Sequence, residues 1–242
     1  MAARPILGLV AGMLAFGLVA GPASAAVPAD VQCNGVLQRV DVRNVTVPSG
    51  GSCILRDSNV TGKVTALGAS YFQAIHTRIA GDVAGNGAQT LFVEGGSVVG
   101  GGFRATRVAQ VFLFSSRVTK HVKVDRTTDQ VFICGSTVER GSITVSRSSR
   151  DILIGGSRSA GCGGNSVRRG SMSVLWNTTD VQLVVKGNSF PKGNLLVSGN
   201  TGPSVKVVRG NLGGTHIACQ ANAGYFRASK NRRWKSGGCR PS

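Results

Sequence analysis

Short apolar triplets recur along most of the chain at spacings of 19 to 21 residues. Gln110-Val111-Phe112-Leu113 returns as Gln130-Val131-Phe132-Ile133. Ser116-Arg117-Val118 returns as Ser136-Thr137-Val138, and His121-Val122-Lys123-Val124 as Ser142-Ile143-Thr144-Val145. Three series follow from this repeat. One runs Val45-Thr46-Val47, Val64-Thr65-Ala66, Val83-Ala84-Gly85, Phe103-Arg104-Ala105, Val122-Lys123-Val124, Ile143-Thr144-Val145, Met172-Ser173-Val174 and Leu195-Leu196-Val197. A second runs Cys53-Ile54-Leu55, Phe72-Gln73-Ala74, Leu91-Phe92-Val93, Val111-Phe112-Leu113, Val131-Phe132-Ile133, Ile152-Leu153-Ile154, Val181-Gln182-Leu183 and Val205-Lys206-Val207. A third carries Val60, Ile79, Val98, Val118 and Val138 behind the small residues Ser58, Thr77, Gly96, Ser116 and Ser136. In a strand, successive side chains face opposite ways, so the outer members of each triplet point inward and the middle one outward. Three short strands per repeat predict a stacked coil, each strand pairing with its equivalent one repeat later.

The rhythm holds from Val45 to Ile152, is broken by a Gly-, Ser- and Arg-rich insertion at 155–170, and resumes at Met172 until about Leu212. The expected layout is therefore a terminal cap over 26–44, coils over 45–212 with a loop at 155–170, and a basic tail over 213–242 that caps the last coil. No helical period is evident beyond a short turn near Ala221 to Ser229. Residues 1–25 read as a cleavable export signal. Arg4 is the positive end, Ile6 to Ala20 the apolar run, and Ala23-Ser24-Ala25 the cleavage site. That run is too short for a transmembrane segment.

The V/I-x-V, V-x-L/I and S/T-x-V units between Val45 and Leu212 resemble the right-handed parallel β-helix superfamily, the pectate-lyase-like fold shared by pectate lyases, polygalacturonases and many surface proteins. The resemblance implies an all-β, single-stranded right-handed parallel β-helix of about eight coils, with a period of about 20 residues. It does not imply one activity, because unrelated functions share the architecture. Lyases of this fold combine a calcium-binding acidic cluster with a basic residue, and acidic residues are sparse here. Polygalacturonases use an Asn-Thr-Asp motif, a paired aspartate, Gly-His-Gly and Arg-Ile-Lys. Asn177-Thr178-Thr179-Asp180 is a loose echo of the first, and the others are missing. Asp125 and Asp151, on neighbouring coils, are the one carboxylate pair worth testing as a glycosidase pair. No catalytic motif emerges.

Charge changes the picture. The chain carries 28 Lys and Arg against 10 Asp and Glu, a formal charge of +18, which falls to +17 once Arg4 leaves with the signal. Such a surface favours polyanions. Stacking makes columns physical, and one column reads Gly68, Gly87, Arg107, Arg126, Arg147, Trp176, Gly199, with arginines roughly 5 Å apart. Arg104, Lys123 and Arg150 lie near it. Guanidinium groups suit carboxylate and phosphate. The expected function is non-catalytic binding of anionic polysaccharide or cell-wall polymer, with nucleic acid as another polyanion, on a secreted or envelope-associated protein. The alternatives are a polysaccharide lyase or hydrolase, and a structural or assembly protein. A second column, Ile54, Gln73, Phe92, Phe112, Phe132, Leu153, Gln182, Lys206, predicts an outward apolar stripe. It is an oligomer interface, a face for a sugar chain, or a surface covered by Tyr225, Phe226 and Trp234 of the tail.

Six cysteines in an exported chain predict disulfides. Fifteen pairings are open, and one-coil spacing favours Cys33–Cys53, Cys134–Cys162 and Cys219–Cys239. No C-x-x-C pair occurs and the histidines are scattered, so neither a metal site nor a cofactor is expected.

Overall fold

The inward columns of the sequence become continuous rows of buried side chains. The computed structural model describes residues 28–156, 162–214 and 216–232. The signal at 1–25, the end of the tail with Trp234 and Cys239, and 157–161 of the insertion lie outside these residues. The described chain forms a parallel β-solenoid of about nine turns, three strands per turn. Ten strands make a first sheet, from Val31–Gln32 to Ile217–Gln220, and ten make a second, from Gly35–Gln38 to Phe226–Ser229. Nine shorter strands make a third, from Asp41–Val42 to Leu212–Gly213. Within each sheet every strand hydrogen-bonds to its equivalents in the adjoining turns, the terminal strands on one side only among the described residues.

The core is the interior of this prism. Val45, Val64, Val83, Phe103, Val122, Ile143, Met172 and Leu195 stack as one buried row. Leu55, Ala74, Val93, Leu113, Ile133 and Ile154 stack as another. β-Branched residues dominate because a pleated, fully buried surface favours them. Cys33–Cys53 and Cys134–Cys162 are bonded, each joining neighbouring turns.

Several sequence expectations change. The solenoid begins at Val31 rather than Val45, so the terminal cap supplies its first turn. The tail also continues the stack, and Ala221 to Ser229 ends in a strand, Phe226–Ser229, not a helical turn. Ser166–Val167, inside the expected loop, is a third-sheet strand paired with Thr137–Val138. In the third series Val99, not Val98, aligns with Ile79 and Val118, and Ser97 takes the place assigned to Gly96. The glycine pair Gly95-Gly96, both at positive φ, adds a residue to that corner.

The largest difference follows the insertion. Ile152, Leu153 and Ile154 pair with Leu183, Val184 and Val185, and these with Lys206, Val207 and Val208. Val181 and Val205, expected inside, are 52% and 43% exposed, and Lys206 is fully buried. Corner hydrogen bonding sets this register. The inward residue three before each corner Asn or Ser is constant: Ile133 before Ser136, Val185 before Asn188, Val208 before Asn211. Asn188 and Asn211 must stack to satisfy buried amides, which moves the first of these strands by two residues and the second by one, turning Lys206 inward.

Candidate functional site: a basic corner and an aromatic groove

The corner between the first and second sheets stacks as expected. Arg107 N donates to Asp125 O, Arg126 N to Ser146 O, Arg147 N to Leu175 O and Trp176 N to Ser198 O, at 2.9 to 3.1 Å. Arg107, Arg126, Arg147 and Trp176 all have left-handed backbone, with φ between 51° and 56°, as do Gly87 and Gly199 in the same column. Glycine adopts this conformation freely, whereas an L side chain there costs roughly 1–2 kcal/mol.

The side chains behave differently from coil to coil. Arg147 reaches back to the preceding turn and grips Asp125 with two bonds, Nε to Oδ1 at 2.8 Å and Nη2 to Oδ2 at 2.9 Å. Ser146 Oγ donates to the same carboxylate at 2.9 Å. Burial alone would raise the Asp125 carboxyl, but the Arg147 guanidinium and Ser146 hydroxyl outweigh it and hold it below the ordinary carboxylate range. Arg107 makes only a neutral contact, Nη2 to Asn86 Oδ1 at 3.1 Å. Arg104, Lys123 and Arg126 are exposed and make no side-chain ion pair or hydrogen bond among the described residues. Arg104 and Lys123 stand outward on adjacent strands of the first sheet, beyond the smaller Thr65 and Ala84. There a shallow depression of about 260 Å³ is lined by Thr65, Leu67, Ala84, Asn86, Arg104 and Arg107.

Two expected members do not join this cluster. Arg150 lies past the corner, where its Nη1 is 3.7 Å from Asp129 Oδ1. Trp176 is 63% exposed, but its ring lies over Gly199 in the next turn, where a β-carbon would collide with it. The indole thus leans away from the arginines, which lean toward the N-terminal turns.

Asp125 and Asp151 stand in different sheets. Asp125 ends Val122–Asp125 in the first sheet, and Asp151 lies in Ser149–Gly155 of the second. Burial pushes the Asp151 carboxyl up, and the charge of Asp129 adds to this. Asp151 Oδ1 is buried without a hydrogen-bond partner.

On the second sheet the phenylalanines do face outward. Phe92 and Phe112 have ring centroids 5.2 Å apart, and Phe112 and Phe132 5.6 Å. Phe114, on the next outward row, meets Phe92 at 5.5 Å. Leu153 continues the row but is only 4% exposed, because the Cys134–Cys162 bridge packs over it. Together these residues line a groove of about 320 Å³. Beyond Leu153 the row is Val184 and Val207, not Gln182 and Lys206. Tyr225 and Phe226 belong to the last turn and do not cover the stripe.

Column reading of the sequence missed the buried corner ladders. Asn165, Asn188, Asn211 and Asn231 stack at the corner between the second and third sheets, and Asn177, Asn200 and Asn222 at the basic corner. Their 20- to 23-residue spacing was the available signal. Also missed were Lys120, Arg140, Arg169 and Lys192, one exposed cation per turn at the third corner.

No protein family, curated protein or solved structure matches the chain.

Proposed function

We propose that this is an exported, non-catalytic β-solenoid that binds a linear anionic polysaccharide or cell-wall polymer along its basic corner. The binding residues are Arg104, Arg107, Lys123 and Arg126, with Arg147 extending the row. The observation that carries this reading is the stacking of that column. Backbone pairing sets Arg107, Arg126 and Arg147 one above another at a solvent-facing corner. Arg104, Lys123 and Arg126 stand exposed there without an ion-pair partner among the described residues. Lysine and arginine without carboxylate partners then bind by displacing counterions, so affinity must fall with salt. The pectate-lyase-like resemblance contributes only architecture to this proposal.

The test is equilibrium binding of a sulfated or uronic polysaccharide across a salt series. Changing Arg107, Arg126 and Arg147 together to Ser should weaken binding at least tenfold and flatten the salt slope. Unchanged affinity and slope in a variant that folds normally would remove the basic corner from the function. Tighter binding of duplex nucleic acid than of either polysaccharide would replace the proposed ligand.

A further inference from the structure

We infer that the third corner is a second polyanion track, so that one molecule holds two anionic chains and cross-links them. This rests on the reading of the first track as a polyanion site.

Lys120, Arg140, Arg169 and Lys192 lie on four successive turns, in the segments joining the third sheet to the first. Arg140 N donates to Thr119 O at 2.9 Å and Arg168 N to Val138 O at 2.8 Å, which fixes the stacking. Gly141, Gly170 and Gly193 follow three of the cations. A β-carbon at each would collide with a carbonyl of the turn before: Lys120 O, Gly141 O and Gly170 O respectively. The corner is therefore tight, and its cations rise from a narrow ridge with a pitch of about 4.8 Å. All four are exposed. None has an ion-pair partner among the described residues. Of the carboxylates at this corner, Glu139 turns the other way, toward Arg117 at 3.5 Å and Arg168 at 4.0 Å, and Asp82, two turns before Lys120, accepts from Gly102 N at 2.7 Å.

The two tracks run along opposite edges of the first sheet. Between them lie strands such as Val122–Asp125, about 13 Å long at 3.3 Å per residue. The outward residue of that strand is Lys123, which belongs to the first track, and those of the following strands are the uncharged Thr144 and Ser173. The tracks are also offset along the axis. The first is basic through Arg147 and then changes to Trp176 and Gly199. The second starts at Lys120 and continues to Lys192. A narrow chain lying along the axis contacts one ridge, and the other remains open for a second chain.

The experiment is titration with a fully sulfated disaccharide, shorter than the distance between the two edges, beside light scattering with the long polymer. Wild type should take up two disaccharides per molecule and scatter strongly with the polymer. Changing Lys120, Arg140, Arg169 and Lys192 to Ser should leave one and abolish the scattering. Changing Arg107 and Arg126 to Ser should also leave one, at the opposite edge. Circular dichroism and melting of each variant confirm the fold. A single site in wild type, weakened by either set of changes, would overturn the second track and leave the first standing. Two sites unaffected by the Arg107 and Arg126 changes would overturn the first track alone. No uptake by wild type would overturn both.

Discussion

The turns before Ile154 and those after Met172 share one plan but finish their corners differently. In the earlier turns hydroxyls fill the corner between the second and third sheets. Thr77 N donates to Ser97 Oγ at 3.0 Å, and Ser116 N to Ser136 Oγ at 3.2 Å. In the later turns asparagine takes over. Asn188 Oδ1 accepts from both the backbone and side-chain nitrogens of Asn165 at 3.0 Å, while its own Nδ2 donates to Ile154 O and Asn211 Oδ1. A hydroxyl has one proton to donate and an amide has two, so the later corners tie each turn to both neighbours. The exposed side of the basic corner changes too, from Arg107, Arg126 and Arg147 to Trp176 and Gly199, while left-handed backbone persists at Trp176 and Ala221. The charge of that corner thus belongs to the earlier turns and the amide ladders to the later ones.

The largest effect should come from cutting the asparagine ladder. Asn188→Ala removes the acceptor of the buried Asn165 backbone N–H and the Nδ2 donor to Ile154 O, while Asn165 Nδ2 keeps only its bond to Ile133 O. It should destabilise the protein by roughly 3 kcal/mol, because each unsatisfied buried group costs about 1–3 kcal/mol. Ser136→Ala, its counterpart in the earlier turns, should lose only about 1 kcal/mol. Equal losses in urea unfolding would dissolve the distinction between the two halves.

A smaller effect, of opposite sign at two positions, is expected in the arginine column. Arg126→Gly relieves a left-handed backbone and removes no bond, so stability should rise by about 1 kcal/mol while polyanion binding weakens. Arg147→Gly relieves the same strain but strands Asp125, and should lose about 1–2 kcal/mol net. If both variants shift the same way, either the strain or the ion pair has been misjudged.

The smallest effect lies at the seam, where the register shifts between Ser149 and Asp151. The folded Asp151 carboxyl sits above its ordinary range because of burial. Its contribution to stability is therefore full below the unfolded pKa, about 3.9, and is lost as pH rises through the folded value. Asp151→Asn should raise the melting temperature at pH 7, and the gain should vanish below about pH 4. A gain independent of pH would point to packing instead.

Much of this molecule is legible in its columns. The repeat near 20 residues, the three strand series before the insertion, two disulfides and the outward phenylalanines all follow from strand alternation and stacking. So does the alignment of Arg107, Arg126 and Arg147, because backbone pairing forces equivalent residues together. The later strands were harder to place. Val181, Leu183 and Val185 alternate equally well in two registers, and only the corner asparagines break the tie.

What the sequence determined by itself is which residues share a row in the turns before the insertion. Side-chain periodicity and a constant repeat length require nothing beyond the chain. What tertiary structure decided is where those side chains go. Arg147 is neutralised by Asp125 and Arg126 is not, Trp176 leans onto Gly199, and Lys206 turns into the core, where Nζ donates to Gly202 O at 2.8 Å and Ser204 O at 3.1 Å. These outcomes depend on hydrogen-bond partners and open space contributed by neighbouring turns about 20 residues away, and no local pattern carries that information.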